Sequence, residues 1–102
     1  MIRVVIADDH AILRQGLVSM LAEEKDIQVV AEAADGFEAL EITRQLNPDV
    51  LLIDLVMPNL NGLAVTHRLN TEKVPTRIIV LSMRKSEPYI REALRNGADG
   101  YV

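Results

Sequence analysis

Short apolar runs rich in β-branched residues recur along the chain, and stretches with helical periodicity lie between them. The runs cover Ile2 to Ala7, Ile27 to Ala34, Asp49 to Asp54 and Arg77 to Ser82, and a fifth begins at Gly100. The third run, "DVLLID", does not alternate, which is typical of a strand covered by helices on both sides of a parallel sheet. Strands that alternate with helices indicate βαβ units with right-handed crossovers. We therefore expect an α/β fold, a three-layer, doubly wound sheet of five parallel strands.

Apolar spacing and turn residues predict a helix after each of the first four strands. We expect the second helix to start at Asp35-Gly36 and to end at Asn47-Pro48, and the fourth to have Ser86 as N-cap, Pro88 in its first turn and Asn96-Gly97 at its end. The positions assigned to apolar faces are Leu13, Leu17, Met20 and Leu21 in the first helix, Phe37 and Leu40 in the second, Leu63 and Leu69 in the third, and Ile90, Ala93 and Leu94 in the fourth.

Composition excludes several classes of function. The chain of 102 residues contains no cysteine, so disulfides, thiolate metal sites and cysteine nucleophiles are ruled out. Its net charge of −4, with scattered Lys and Arg, argues against nucleic-acid contact by this domain. Its apolar runs are too short to span a bilayer and its amino terminus has no signal-peptide pattern, so we expect no membrane association and a cytosolic location.

Polar side chains gather where the predicted strands end. Asp8 and Asp9 follow the first strand, Asp54 ends the third and Ser82 ends the fourth. In an open doubly wound sheet, ligands bind at the carboxyl ends of the strands where the strand order reverses. If the order is 2-1-3-4-5, the first and third strands are neighbours, and the three carboxylates converge on one patch.

Converging carboxylates repel each other unless a cation joins them or their pKa values rise. Oxygen ligands with room for water suit Mg²⁺, which also binds phosphate oxygens. A phosphoryl group is therefore the ligand that we expect at this site. Asp54 could then act as a nucleophile that forms an acyl phosphate, with Ser82 as a hydroxyl donor. Taken singly, the acidic pair is more often a solvated or helix-capping charge, and Asp54 is a common strand-end residue. It is the combination at two neighbouring strands that favours a site.

The two histidines carry less information. His10 beside the acidic pair invites a phosphohistidine or metal-ligand interpretation, but a residue at a helix start is more often a neighbour of the cap. His67 is expected on the exposed side of its helix.

Four segments of the sequence, taken together, resemble those of a known family. "VVIADDH", "DVLLIDLVMPNLNG", "IIVLS" and "NGADGYV" resemble, over essentially the whole chain, the receiver domain of bacterial two-component response regulators, which has the flavodoxin/CheY-like fold. "ADDHAILRQGL" followed by "VVAEAADGFEAL" is similar to the NarL/FixJ (LuxR-type) branch.

The resemblance implies a role for each site residue. Asp54 would be the phosphoacceptor for the phosphohistidine of a sensor kinase. Asp9 would bind Mg²⁺ directly and Asp8 mainly through water, with Asp54 and the backbone carbonyl of Val56 as further ligands. Ser82 would be the switch hydroxyl that moves toward the phosphoryl group and leaves space for Tyr101, the switch aromatic. Such a domain is not an enzyme beyond its own phosphorylation and slow dephosphorylation.

The resemblance also implies partners and reveals a departure. The branch carries a C-terminal helix-turn-helix DNA-binding domain for transcription regulation and forms homodimers on phosphorylation. Its pattern places a Lys three residues after the switch aromatic, followed by a last helix, whereas this sequence stops at Val102. We therefore expect residues 1–102 to be a receiver domain truncated before the end of the fifth strand and the last helix. Arg84 or Lys85 could stand in for that Lys.

Two other functions stay open at this stage. One is a Mg²⁺-dependent aspartyl-phosphate phosphatase. Such enzymes resemble one another in a DxDx motif after the first strand, whereas the nucleophile candidate here follows the third strand and no cap insertion is present. The other is a receiver-like interaction module that works without phosphate, which the intact acidic triad and Ser82 argue against.

Overall fold

The computed structural model describes residues 1–82 and 87–102, which form one sheet of five parallel strands together with four helices. In chain order the elements are β1 (Ile2–Ala7), α1 (Ala11–Ala22), β2 (Ile27–Ala33), α2 (Gly36–Leu46), β3 (Val50–Ile53), α3 (Gly62–Thr71), β4 (Arg77–Val80), α4 (Glu87–Arg95) and β5 (Gly100–Tyr101). The strand order is β2-β1-β3-β4-β5, so the predicted doubly wound α/β sheet is confirmed.

The main core lies on the side of the sheet that α2, α3 and α4 cover. Alternate strand residues face it because side chains of a strand point to opposite faces in turn. Its members include Val5, Ala7, Ala33, Leu51, Ile53, Ile78 and Val80 from the strands, with Ala39, Leu40, Val65, Leu69 and Ala93 from the helices. The remaining helix, α1, contacts β1 and β2. This arrangement anchors the central strands β1 and β3, whose carboxyl ends carry the acidic residues.

Side-chain caps explain why α2 and α3 begin where they do. Asp35 accepts a hydrogen bond from the Glu38 N–H (2.8 Å), and Asn61 accepts one from the Ala64 N–H (2.9 Å). Each cap satisfies a backbone donor that the first helical turn leaves without an intrahelical partner. At its other end α2 stops at Asn47, which adopts the left-handed conformation (φ 46°). The boundaries predicted for α2 are therefore confirmed.

The predicted apolar faces are partly wrong. In α1, Leu17 and Leu21 are half-buried as predicted, whereas Leu13 and Met20 are exposed (47% and 64%). Arg14 and Val18 are half-buried on the inward face as well. Phe37 and Leu94 are also about half exposed, at 52% and 48%. The other predicted positions in these two helices include Leu40 and Ala93, which are buried as expected.

Two expectations concern residues outside the described ranges: Ser86 as the N-cap of the fourth helix, and Arg84 or Lys85 as a substitute cation. Pro88 lies in the first turn of α4, as predicted. Among the helices of residues 1–82 and 87–102, none combines the length and the apolar character needed to cross a bilayer.

Candidate functional site

The three carboxylates of the predicted site meet at the carboxyl ends of β1 and β3. The Asp54 N–H donates to the Ala7 carbonyl (3.1 Å) and the Asp8 N–H donates to the Ala33 carbonyl (3.0 Å), so the parallel ladder continues one residue beyond each strand. As a result, one potential ligand atom from each of Asp8, Asp9, His10 and Asp54 lies within 4.8 Å of the others. The predicted convergence of residues distant in sequence is confirmed.

Asp8 is the most enclosed member of this acidic cluster (Asp8, Asp9 and Asp54). It is 3% exposed, and its Oδ1 accepts the backbone N–H of His10 (2.7 Å). The His10 ring lies over the acidic pair, with Nδ1 2.9 Å from Asp8 Oδ1 and 3.2 Å from Asp9 Oδ1. The hydrogen bond with Asp8 and the negative charge of Asp9 raise the pKa of His10 above its ordinary value. His10 thus occupies the N-cap position of α1 and also contacts the cluster.

Asp54 is half-buried, and its environment favours the protonated form more than water does. Burial raises the pKa of the Asp54 carboxyl above its usual value, and the nearby charge of Asp8 raises it further. Hydrogen bonds from the Val56 and Leu55 backbone and from the Ser82 side chain act in the opposite direction and lower that pKa. Asp54 is therefore a carboxylate whose negative charge is incompletely compensated by the residues around it.

The structure brings Ser82 to Asp54, as the strand-end pattern predicted. The Leu81 N–H donates to the Ile53 carbonyl (3.0 Å), which extends the β3–β4 ladder toward Ser82. The Ser82 side chain is buried, and its interaction with the Asp54 carboxyl group lowers the pKa of that carboxyl. Tyr101 lies one strand further, paired with Val80 in β5, and is half-buried against the main core. Its switching role stays a prediction.

The loop after β3 is held close to Asp54 by a glycine. A Cβ atom on Gly62 would lie 2.2 Å from the Asp54 carbonyl oxygen, and the Gly62 N–H donates to the Leu55 carbonyl (2.8 Å). Only a residue without a side chain allows this approach. Val56 in the same loop has its N–H 3.5 Å from Asp54 Oδ1 and a side chain that is half exposed. Metal coordination by its carbonyl stays a prediction.

The donor set of the acidic cluster fits a hard divalent cation. Carboxylate oxygens from two strand ends converge, and Asp9 and Asp54 are partly open to solvent, which leaves space for water ligands. Mg²⁺ binds through few carboxylates, keeps several waters and accepts phosphate oxygens. Asp8, Asp9 and Asp54 would hold such an ion, and it would neutralise the negative charge that they concentrate.

Sequence reasoning assigned no role to Arg14, yet its side chain reaches the acidic pair. Arg14 Nη1 donates to the Asp8 carbonyl (2.5 Å), and its Nε donates to Glu32 Oε1 in β2 (3.0 Å). A signal for this was present, since Arg14 precedes Leu17 by three residues and Leu21 by seven. That spacing places an arginine on the inward face of α1.

Comparison with known proteins gives a consistent result. The family profile described as "Response regulator receiver domain" matches residues 4–102. The oxygen regulatory protein NreC of Staphylococcus aureus is 45% identical in a match that covers 98% of this chain and 46% of NreC. The transcriptional regulatory protein DegU of Brevibacillus brevis is 40% identical in a match that covers 99% of this chain and 43% of DegU. The signal receiver domain assigned to the response regulator NarL of Mycobacterium tuberculosis superimposes with a TM-score of 0.96 at 37% identity, covering 98% of this chain and 81% of that one. The chain thus spans less than half the length of these two curated relatives.

Proposed function

Because the chain belongs to the response regulator receiver domain family, in its NarL/LuxR-type branch, we propose that Asp54 accepts a phosphoryl group from the phosphohistidine of a sensor histidine kinase. The observation that carries this proposal is the geometry around Asp54. A carboxylate with a raised pKa lies beside two further carboxylates at the carboxyl edge of the sheet, and a buried serine hydroxyl contacts it.

The reaction needs a nucleophile, charge neutralisation and a donor to the transferred group. A carboxylate oxygen of Asp54 forms the new O–P bond while the P–N bond to the donor histidine breaks, and the electron pair of that bond stays on the imidazole nitrogen. Mg²⁺, when bound, neutralises charge on the phosphoryl oxygens and the carboxylates. Asp8, Asp9, Asp54 and the Val56 carbonyl are the proposed ligands.

After transfer, Ser82 is the residue that responds to the phosphoryl group on Asp54. Its side chain already interacts with the Asp54 carboxyl group, so we expect a short movement to let the hydroxyl donate to a phosphoryl oxygen. We expect this movement to open space next to Tyr101 in β5 and so to change the adjacent surface. The step converts a new local charge into a change of partner preference.

The proposed partners follow from this role. The donor is a sensor kinase, and the output is a C-terminal helix-turn-helix domain of a longer protein that regulates transcription, with a homodimer formed on phosphorylation. On this proposal, residues 1–102 act as the receiver domain. The proposal implies a cytoplasmic location, where response regulators typically act.

Intact-mass analysis after incubation with acetyl phosphate and Mg²⁺ tests this function. We expect the 102-residue chain to gain one phosphoryl group, Asp54→Asn to gain none, and Ser82→Ala to gain it more slowly. Asp26→Asn, an exposed aspartate in the α1–β2 turn, is the matched control and should behave as the unsubstituted chain. Undiminished labelling of Asp54→Asn would overturn the assignment.

The two other functions considered from the sequence are not favoured. The nucleophile follows β3 rather than β1, unlike the phosphatase pattern. A module independent of phosphate has no need of three converging carboxylates with a serine hydroxyl beside one of them.

A further inference from the structure

The geometry points to Arg14 as a positioning residue for the acidic pair that binds the metal ion. Arg14 lies on the inward face of α1, its side chain is 18% exposed, and it contacts the site through the backbone of Asp8. This inference rests on the proposed function, since it concerns how the same site is held in shape for Mg²⁺.

Asp8 is fixed through both of its backbone polar groups. Its N–H donates to the Ala33 carbonyl (3.0 Å), and its carbonyl accepts from Arg14 Nη1 (2.5 Å). Arg14 is in turn held by Glu32, whose Oε1 accepts from Nε (3.0 Å). Glu32 and Ala33 are consecutive residues of β2, so the end of this strand holds Asp8 once directly and once through Arg14.

The direction of the Asp8 carbonyl matters because the peptide bond is planar. The carbonyl of Asp8 and the N–H of Asp9 belong to one rigid unit, so a bond that fixes the carbonyl also fixes the peptide plane from which Asp9 projects. The Asp9 side chain is 34% exposed, against 4% for Asp8, and has less packing of its own to hold it. Arg14 therefore orients the more open carboxylate of the pair without touching it.

If Arg14 acted only through its charge, its substitution would have the opposite effect on Mg²⁺ affinity. A guanidinium next to the acidic cluster repels a divalent cation, so removal of its charge alone would strengthen Mg²⁺ binding. The pairing of Arg14 with Glu32 offsets this charge and leaves the hydrogen bond to Asp8. Weaker Mg²⁺ binding on substitution would therefore report lost positioning, and tighter binding would report lost repulsion.

The test is a Mg²⁺ titration of the 102-residue chain without any phosphodonor, followed by the backbone amide signals of Asp9 and Val56 in NMR spectra. We expect Arg14→Met, which keeps the length of the aliphatic stem, to raise the Mg²⁺ dissociation constant about tenfold, the range seen when groups that orient metal ligands are removed. Arg14→Lys keeps the charge and one donor and should give an intermediate value.

Arg44→Met is the matched control. Arg44 also pairs with a glutamate, donating from Nε to Glu72 Oε1 (2.9 Å), but it joins α2 to the end of α3 and does not contact the acidic cluster. Its dissociation constant should equal that of the unsubstituted chain. In a labelling assay, the Arg14→Met chain should approach the normal rate at saturating Mg²⁺.

The outcomes distinguish failure of the positioning role of Arg14 from failure of the proposed phosphoacceptor function. If the unsubstituted chain binds Mg²⁺ and Arg14→Met binds it equally or more tightly, the positioning role is wrong and the proposed function stands. If the unsubstituted chain shows no Mg²⁺-dependent shifts, the proposed metal site fails and the inference fails with it. Should Arg14→Met not fold, Arg14→Lys decides, and affinity equal to or above normal would overturn the inference.

Discussion

Replacement of Asp54 by asparagine should stabilise the folded chain at neutral pH while it removes phosphorylation. Asparagine has nearly the same shape and can still accept a hydrogen bond from Ser82, but it carries no charge. The substitution therefore relieves the repulsion between Asp54 and the other carboxylates, whose nearest oxygens lie within 4.8 Å. A residue kept for its chemistry then costs stability, as is common at functional sites.

The magnitude follows from the distance and from the partial exposure of the site. Two unit charges 4.8 Å apart repel by about 3.5 kcal/mol at an effective dielectric constant of about 20, and by about 0.9 kcal/mol in bulk water. Because Asp9 and Asp54 are partly solvated, we expect a gain of about 1 to 2 kcal/mol for Asp54→Asn. A gain of 1 kcal/mol corresponds to a rise in Tm of about 4 to 8 °C for a domain of this size.

The pH dependence has a defined sign. The pKa of Asp54 is raised in the folded state, so the unfolded chain ionises first as pH increases. The loss of stability caused by ionised Asp54 is absent below the pKa that Asp54 has in the unfolded chain. It grows as pH rises through the pKa of Asp54 in the folded chain, and it is complete above that pKa. The stability difference between Asp54→Asn and the unsubstituted chain should therefore grow from acid to neutral pH.

Thermal and urea unfolding at low ionic strength, without Mg²⁺, measures this difference. The control Asp26→Asn should change stability by less than about 0.5 kcal/mol. Added Mg²⁺ should stabilise the unsubstituted chain more than the Asp54→Asn chain, because ligand binding to the folded state adds to stability. An Asp54→Asn chain that is equally stable or less stable at neutral pH would refute the argument from repulsion.

Two further substitutions, each with a matched control, test the approach of the Gly62 backbone to Asp54 and the packing of a buried hydroxyl in α2. Gly62→Ala would place a Cβ 2.2 Å from the Asp54 carbonyl, so it should cost about 2 kcal/mol or more and slow labelling, whereas Gly16→Ala in an open part of α1 should gain about 0.5 to 1 kcal/mol. Urea unfolding and acetyl phosphate labelling check this, and an unaltered Gly62→Ala chain would contradict it. Thr43→Val removes a buried hydroxyl that has no hydrogen-bond partner within residues 1–82 and 87–102, so thermal unfolding should show a gain of about 1 kcal/mol. Thr66→Val removes a hydroxyl that donates to the Gly62 carbonyl (2.7 Å), and it should destabilise instead; the reverse order would refute this account.

The sequence predicts the strands and the meeting of Asp8, Asp9, Asp54 and Ser82 because both depend on strong local signals. A buried parallel strand leaves a continuous apolar run, and its polar end lies at a known edge of the sheet. The boundaries of β1 are as predicted, and those of the other strands differ only by end residues.

The inward faces of the helices are harder to predict. In α1, apolar residues lie on several sides, and Leu13 and Met20 are exposed while Arg14 points inward. Helical spacing puts Arg14 on the same face as Leu17 and Leu21, but it does not show how deeply that face is covered, because the tilt of a short helix on the sheet decides this. The contact of Arg14 with the Asp8 carbonyl depends on that tilt, so it emerges only from the structure.

Chemical mapping of the phosphoryl group identifies the residue that accepts it. The chain is phosphorylated with acetyl phosphate and Mg²⁺, the acyl phosphate is reduced with borohydride, and the modified residue is located by fragment mass analysis. We expect a single reduced site at Asp54, together with loss of labelling when Mg²⁺ is removed by a chelator. Modification at His10, at Ser82 or at another aspartate, or labelling that does not depend on Mg²⁺, would contradict it.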